Sequence, residues 1–235
     1  MTAEAVDAAS AGRLDQALRH LVSDEHERVW LIAYVAAARG RFDDAIWLAS
    51  RGARAQIPRP LRHRFALTAG SALRQTNRHR EAVTFDVLSE RLATTAEQRA
   101  HAWISLAADA VGLGDAARCE ALLERAGQGA RTWRAQVRWR WVGTELALLT
   151  RDGAGALDHA RIARAVSARA GAVRHEAKSL LFEGVALAEQ RDRRARAVLT
   201  FARSRAVSLG ATPIARAAQT VLEHHPGAGV ATTAG

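Results

Sequence analysis

The segment Gly40-Arg41-Phe42-Asp43-Asp44-Ala45 repeats the pattern of an earlier segment, Gly12-Arg13-Leu14-Asp15-Gln16-Ala17. In both, a large apolar residue lies two positions after the glycine, and an alanine follows three positions later. Glycine readily adopts the left-handed conformation that ends a helix. A small alanine lets the next helix approach its neighbour closely. The pattern therefore predicts a tight turn between two closely packed helices.

Small residues then recur at a fixed interval along the chain. The positions are Ala45, Ala82, Cys119 and Ala156, in steps of 37 residues, and a turn signal precedes each one. A weaker copy follows near 190–192, with Ala195 or Ala197 as its small residue. Between the turns, apolar residues three and four apart in 29–38 and 103–111 indicate amphipathic helices. The sequence predicts an all-α repeat chain without strands.

This repeat resembles the tetratricopeptide repeat superfamily, in which about 34 residues form a helix pair with characteristic large and small positions. One copy here supplies Trp103, Leu106 and Ala107, then Gly114 at the turn and Cys119 in the second helix. The resemblance implies a right-handed α-solenoid of antiparallel helix pairs. The longer period and missing prolines resemble the degenerate repeats of bacterial regulators. We expect one domain over 1–224, a capping helix near 212–224, and a disordered tail at 225–235.

The resemblance also implies which first-helix side chains lie on the concave face. The matching residues are Trp30, Tyr34, Arg64, Arg74, His101, Arg138, Trp141 and Lys178. Aromatics mixed with cations suit an acidic peptide or a free C-terminal carboxylate, which arginine can bind bidentately. The alternative is that Trp30 and Trp141 are core and the arginines form a solvated face. The resemblance therefore favours a protein- or peptide-binding adaptor or regulatory scaffold, with a sensor of a small ligand or signal peptide as an alternative.

The net charge of +10 is carried almost entirely by arginine, because Lys178 is the only lysine. Residues 51–80 hold eight arginines and no acid, and residues 191–205 hold six arginines against Asp192. Such blocks could bind the backbone of RNA or DNA, which is a second alternative function. A GC-rich genome would also enrich arginine. No helix-turn-helix or RNA-binding signature accompanies the blocks, so the sequence does not predict sequence-specific recognition of nucleic-acid bases.

Motifs for catalysis, cofactors and metals are missing from the sequence. His175-Glu176 lacks the second histidine of the zinc-peptidase motif, and no Gly-rich phosphate loop ends in lysine. Cys119 occupies a small-residue position, where we expect a packing role. The N-terminus does not read as a secretory signal, and no apolar run reaches the length of a spanning helix. We expect a cytoplasmic protein that is not an enzyme, binds no cofactor or metal, and does not contact a membrane.

Two local patterns allow sharper expectations. Thr94-Thr95-Ala96-Glu97 is typical of a capping box, with Thr94 and Glu97 binding the free amides at the start of a helix. Trp139 and Trp141 point roughly 200° apart on a helix, so they cannot share one apolar stripe. One of them is then exposed or stacked beneath an arginine. An exposed tryptophan would mark a contact surface, whereas one covered by an arginine would be structural, and of the two we expect the contact surface.

Overall fold

The computed structural model describes residues 24–225, which form α-helices joined by short turns, with no strand in this part of the chain. The helices are α1 (Glu25–Ala38), α2 (Phe42–Arg54), α3 (Arg59–Gln75), α4 (His79–Leu92), α5 (Ala96–Gly112), α6 (Ala116–Gly127), α7 (Trp133–Leu149), α8 (Gly153–Arg169), α9 (Val173–Glu189), α10 (Ala195–Ser208) and α11 (Thr212–His224). The prediction of an all-α solenoid of antiparallel helix pairs is confirmed. The repeat expected at 12–17 and the tail beyond 225 lie outside the described residues.

The turn inside each helix pair has the same backbone geometry. Its left-handed residues are Gly40, Asn77, Gly114, Arg151 and Arg191, evenly spaced by one sequence repeat except for a slightly longer last step. In every case the next N–H donates to the carbonyl five residues earlier, as Arg41 does to Ala36 at 2.9 Å. This bond occupies a carbonyl that the ending helix leaves free. The period predicted from the sequence therefore corresponds to the spacing of the turns at which the first helices end.

The small residues predicted from that period are buried at the helix contacts. Ala45, Ala82, Cys119 and Ala156 are each the fourth residue of the second helix of a pair, and none exposes any surface. Ala156, for example, packs with Ala147 of α7 and Ala186 of α9. In the last copy Ala195 is the buried residue, whereas Ala197 is exposed. These positions must be small because each second helix sits between two first helices.

The expected capping box at the start of α5 was wrong in detail. The residue that caps α5 is Thr95, whose hydroxyl accepts from the Gln98 N–H at 3.1 Å. Gln98 in turn accepts from the Thr94 N–H at 2.7 Å. The cap is thus shifted by one residue, because Thr95 takes the extended conformation that a cap requires.

The end of the chain returns to its beginning. Helix α11 covers the residues expected for the capping helix and packs on α10 and α9. A Cβ added to Gly40 would lie 3.3 Å from Cγ of Pro213, so the first turn of α11 contacts the turn between α1 and α2. The Arg134 guanidinium also lies over the Tyr34 ring, 5.6 Å from its centroid. The described helices therefore curve far enough to surround a space at their centre. None of them is long and apolar enough to cross a membrane.

Candidate ligand-binding cavity

The first helices of the five pairs, α1, α3, α5, α7 and α9, run parallel and in register around this space. Contacts between neighbours join residues about one repeat apart. The Trp30 indole donates to the Thr68 hydroxyl at 3.1 Å, and the Trp141 indole donates to the Ser179 hydroxyl at 2.8 Å. Because the second helices lie on the outside, the inner faces of the first helices form one continuous surface.

That surface lines a cavity of about 1090 Å³, just above the range of about 300–1,000 Å³ that is usual for ligand sites. Its side chains form four rows, in which successive members come from matching positions of the first helices. The charged row is Arg64, His101, Arg138 and Lys178; the apolar row is Trp30, Leu67, Ile104, Trp141 and Leu181; the third row is Tyr34, Ser71, Ala108 and Glu145; the fourth row is Ala37, Arg74, Val111 and Leu148. The rows follow one another from the N-terminal to the C-terminal ends of the helices.

All eight residues predicted for the concave face line this cavity. The core interpretation of the two tryptophans also holds, since Trp30 is 4% exposed and Trp141 is 7% exposed. Each packs between neighbouring repeats and presents one face to the cavity. The arginines converge on the cavity, although Arg74 has an internal role. Whether the eight residues bind a ligand stays a prediction.

Arg138 is held in place by a chain of hydrogen bonds. It donates to Nδ1 of His101 at 2.8 Å and to the Ser105 hydroxyl at 2.7 Å. His101 lies 3.3 Å from Glu97 through Nε2, and Glu97 also accepts from the Thr132 hydroxyl. This arrangement requires a neutral imidazole with its proton on Nε2. Burial lowers the pKa of His101 to about 4, with Arg138 acting in the same direction, so the ring is neutral at pH 7.

The charge of Arg138 is not neutralised in this setting. Burial, together with Arg74 and Arg134, lowers the pKa of Arg138 to about 9. No carboxylate forms an ion pair with it within the described residues. A guanidinium nevertheless keeps its proton in proteins. The cavity therefore contains a half-buried cation that a bound anion would stabilise.

Lys178 is a second such cation. Its ammonium lies 4.4 Å from the Trp141 ring centroid and 5.4 Å from that of Phe182. Burial lowers the pKa of Lys178 to about 8, while Glu145 acts in the opposite direction. Burial also raises the pKa of Glu145. No ion pair or hydrogen bond within the described residues occupies either group, so both remain available to a ligand.

Arg74 belongs to a buried cluster behind the fourth row. It forms ion pairs with Asp86 and, at 3.1 Å, with Asp109. Burial raises the pKa of Asp86 to about 7, with Arg74 opposing the rise and Asp109 adding to it. A Cβ on Gly70 would lie 2.5 Å from the Asp86 carboxylate, so only glycine leaves room for it. Arg74 lines the cavity, but its charge is already matched by the carboxylates of Asp86 and Asp109.

The arginine block at 51–80 does not form one free patch. Its members lie on three helices, and seven of the eight have partners inside the protein: Arg51 with Trp47, Arg54 with Phe85, Arg59 with the Arg91 carbonyl, Arg62 with the Ala53 carbonyl, Arg64 with Glu27, Arg74 with Asp86 and Asp109, and Arg78 with Glu81. Five of these contacts join different helices, whereas Arg51 with Trp47 and Arg78 with Glu81 are local contacts. The suggestion of a nucleic-acid surface receives no support from their arrangement.

Of the two tryptophans near the middle of α7, Trp139 is the one stacked beneath an arginine. Its indole donates to the Leu123 carbonyl at 2.8 Å, and Arg140 covers its ring at 4.9 Å from the centroid. Trp139 therefore packs α7 on α6, and the expectation that it marks a contact surface was wrong.

Several cavity residues escaped the sequence analysis. They are Glu97, Arg134, Arg174, Pro213 and Ile214. The first three could have been found, because each lies one helical turn before a member of the charged row. The two residues of α11 carry no such signal, because they reach the cavity only through the curvature of the whole array. Among the described residues, no group of His, Cys, Asp or Glu could hold a metal ion.

Solved structures resemble this arrangement of helices. A Rap protein complexed with competence and sporulation factor superposes with a TM-score of 0.62 at 15% identity, covering 95% of this chain and 74% of that one. The apo form of RapI gives a TM-score of 0.51 at 13% identity, covering 94% and 92% of the two chains. The fold is that of a tetratricopeptide-like superhelix. The predicted resemblance is thus confirmed for the fold. No protein-family model and no curated protein matches the sequence of this superhelix.

Proposed function

We propose that the protein is an intracellular, non-enzymatic binding protein that takes up a short acidic peptide in its central cavity and acts as a regulatory adaptor. The observation that carries this proposal is the pair of unneutralised cations, Arg138 and Lys178, inside a cavity of about 1090 Å³. A carboxylate placed there would gain charge-assisted hydrogen bonds in a weakly solvated site. The tryptophans beside these cations supply apolar contact area.

The shape of the site supports a short, free ligand over a folded partner. The cavity is lined by the first helices and by α11, so a ligand that contacts Lys178 lies between helices from both ends of the array, which suits a narrow chain better than a broad globular surface. The distance from Arg134 to Leu148 along α7 is about 21 Å at 1.5 Å per residue. An extended peptide of about six residues has this length. The Rap protein of similar fold is complexed with competence and sporulation factor, which supports uptake of a separate regulatory molecule by such a superhelix.

The proposal is tested by fluorescence titration. Trp30 and Trp141 line the cavity, so a bound peptide would change their emission. We expect a pool of hexapeptides rich in Asp, Glu and Leu to bind, and a matched pool with Lys in place of the acids not to bind. Arg138→Gln and Lys178→Gln should each weaken binding at least tenfold, whereas Arg99→Gln, at an exposed position of α5, should not. Equal binding of both pools, or binding unchanged by the cavity variants, would contradict the proposal.

A further inference from the structure

The two ends of the cavity differ in charge and polarity. Because the first helices are parallel, their N-terminal turns meet at one end, which we call the cationic end. It carries Arg134, Arg138, Arg174 and Lys178, none of which forms an ion pair with a carboxylate of the described residues. Arg64 pairs with Glu27 at 3.7 Å, and Glu97 is bound by His101 and Thr132. Positive charge is therefore in excess at this end, where the helix dipoles add to it.

The opposite end, which we call the apolar end, is formed by the C-terminal turns of the same helices and by α11. Its lining includes Val111, Leu148, Leu149, Pro213 and Ile214. Leu149 is 42% exposed although it is a large hydrophobic residue.

The charged groups at the apolar end do not form a binding site for an anion. The cation there, Arg74, is matched by Asp86 and Asp109 behind the wall. Glu145 stands between the apolar row and the apolar end with no ion-pair or hydrogen-bond partner among the described residues. An acidic group entering this half of the cavity would meet the half-buried Glu145 carboxylate. It would find no available cation, because burial lowers the pKa of the His79 imidazole, which lies 3.6 Å from Asp109.

From these contrasts we infer that the cavity binds an amphipathic peptide in one orientation, with its acidic, C-terminal part at the cationic end and its apolar, N-terminal part at the apolar end. This inference rests on the proposed function and specifies its ligand class. The reverse orientation places the α-ammonium among four cations and the α-carboxylate beside Glu145. Like charges in a weakly solvated site repel strongly. Leu149, which is 42% exposed, and the half-buried Leu148 contribute most to affinity when apolar side chains cover them.

The test uses a positional-scanning library of hexapeptides with free termini, captured on the immobilised full-length protein and quantified by mass spectrometry. We expect at least fivefold enrichment of Asp and Glu at the last two positions and of Leu, Ile, Val and Phe at the first two. Arg138→Gln should remove the first preference and leave the second. Leu148→Gln should remove the preference for apolar residues at the first two positions and leave the preference for acids at the last two. Circular dichroism confirms that each variant is folded.

Glu145→Gln provides the most specific control. The substitution keeps size and hydrogen-bonding capacity, so a structural role would survive it. We expect this variant to accept Asp and Glu at the first positions, which the wild-type protein rejects. Acids enriched at the first positions of the wild-type protein, or no change with Glu145→Gln, would overturn the inferred orientation while leaving peptide binding intact. A library with no enrichment at any position would overturn the proposed function as well.

Discussion

Replacing Arg74 by methionine tests the buried charge cluster behind the cavity. The substitution keeps much of the aliphatic stem and removes the guanidinium, so Asp86 and Asp109 lose the cation that lies between them. Both carboxylates are buried, with side-chain exposures of 0% and 1%. Removing one partner of a buried ion pair costs about 3–5 kcal/mol, because an uncompensated charge remains. For a chain of this size, such a loss lowers the melting temperature by roughly 10 °C.

The measurement is chemical and thermal unfolding followed by circular dichroism at 222 nm. Arg78→Met is the matched control, because Arg78 pairs with Glu81 on the surface, where the two side chains are 44% and 57% exposed. An exposed pair of this kind contributes less than about 1 kcal/mol. Combining Arg74→Met with Asp86→Asn and Asp109→Asn removes all three charges and should restore most of the lost free energy of unfolding.

The loss of stability caused by Arg74→Met should depend on pH. Burial holds the pKa of Asp86 above its ordinary value, and Arg74 opposes that rise. Without Arg74 the folded-state pKa moves further up. A carboxyl whose folded pKa exceeds its unfolded pKa destabilises the protein as pH rises between the two values. The cost of Arg74→Met should therefore be larger at pH 8 than at pH 5. A loss no greater than that of Arg78→Met, or one independent of pH, would refute this reasoning.

Three further predictions concern single positions. Burial lowers the pKa of Lys178 to about 8, and Lys178 must be charged to bind a carboxylate, so acidic-peptide affinity should fall from pH 7 to pH 9. Titration at several pH values checks this, and Lys178→Arg should flatten the profile. Gly40→Ala and Gly114→Ala both force alanine to a positive φ, but only Gly40 faces Pro213. Gly40→Ala should thus cost about 1 kcal/mol more in an unfolding titration, and equal losses would disprove the contact. Burial raises the pKa of the Cys119 thiol to about 12, so we expect a thiol-specific chromophoric reagent to react only as the protein unfolds; rapid reaction of the native protein would contradict this.

The sequence predicted the parts of the structure that repeat locally. The period of 37 residues located the left-handed turns and the buried small residues, because each is fixed by its own helix pair. The same period aligned Arg64, His101 and Arg138, so their convergence on one surface followed from parallel first helices. Lys178 fell into that row although its step along the chain is slightly longer, since α9 keeps the same register.

Features that depend on distant packing could not be predicted in this way. Asp86 lies on a second helix, where acids are normally solvated, and its pairing with Arg74 required Gly70 to leave space. The sequence alone did not show that Arg140 covers the Trp139 ring, because that contact depends on side-chain conformation. Trp139 was therefore expected to be a contact residue. The contribution of Pro213 to the cavity depends on rotations that accumulate over five helix pairs, and no local pattern records them.

The contact between Gly40 and Pro213 ties the shape of the cavity to the number of helix pairs in residues 24–225. Open solenoids can gain or lose a unit, because each unit touches only its neighbours. Here the last helix must meet the first described turn, so one unit more would push α11 past Gly40 and one fewer would leave the cavity without that wall. Duplication or deletion of one of these pairs would therefore disrupt the wall that α11 gives to the cavity. Under the proposed function, changes in ligand preference would then arise through single side-chain replacements, while the number of helix pairs between Gly40 and α11 stays constant.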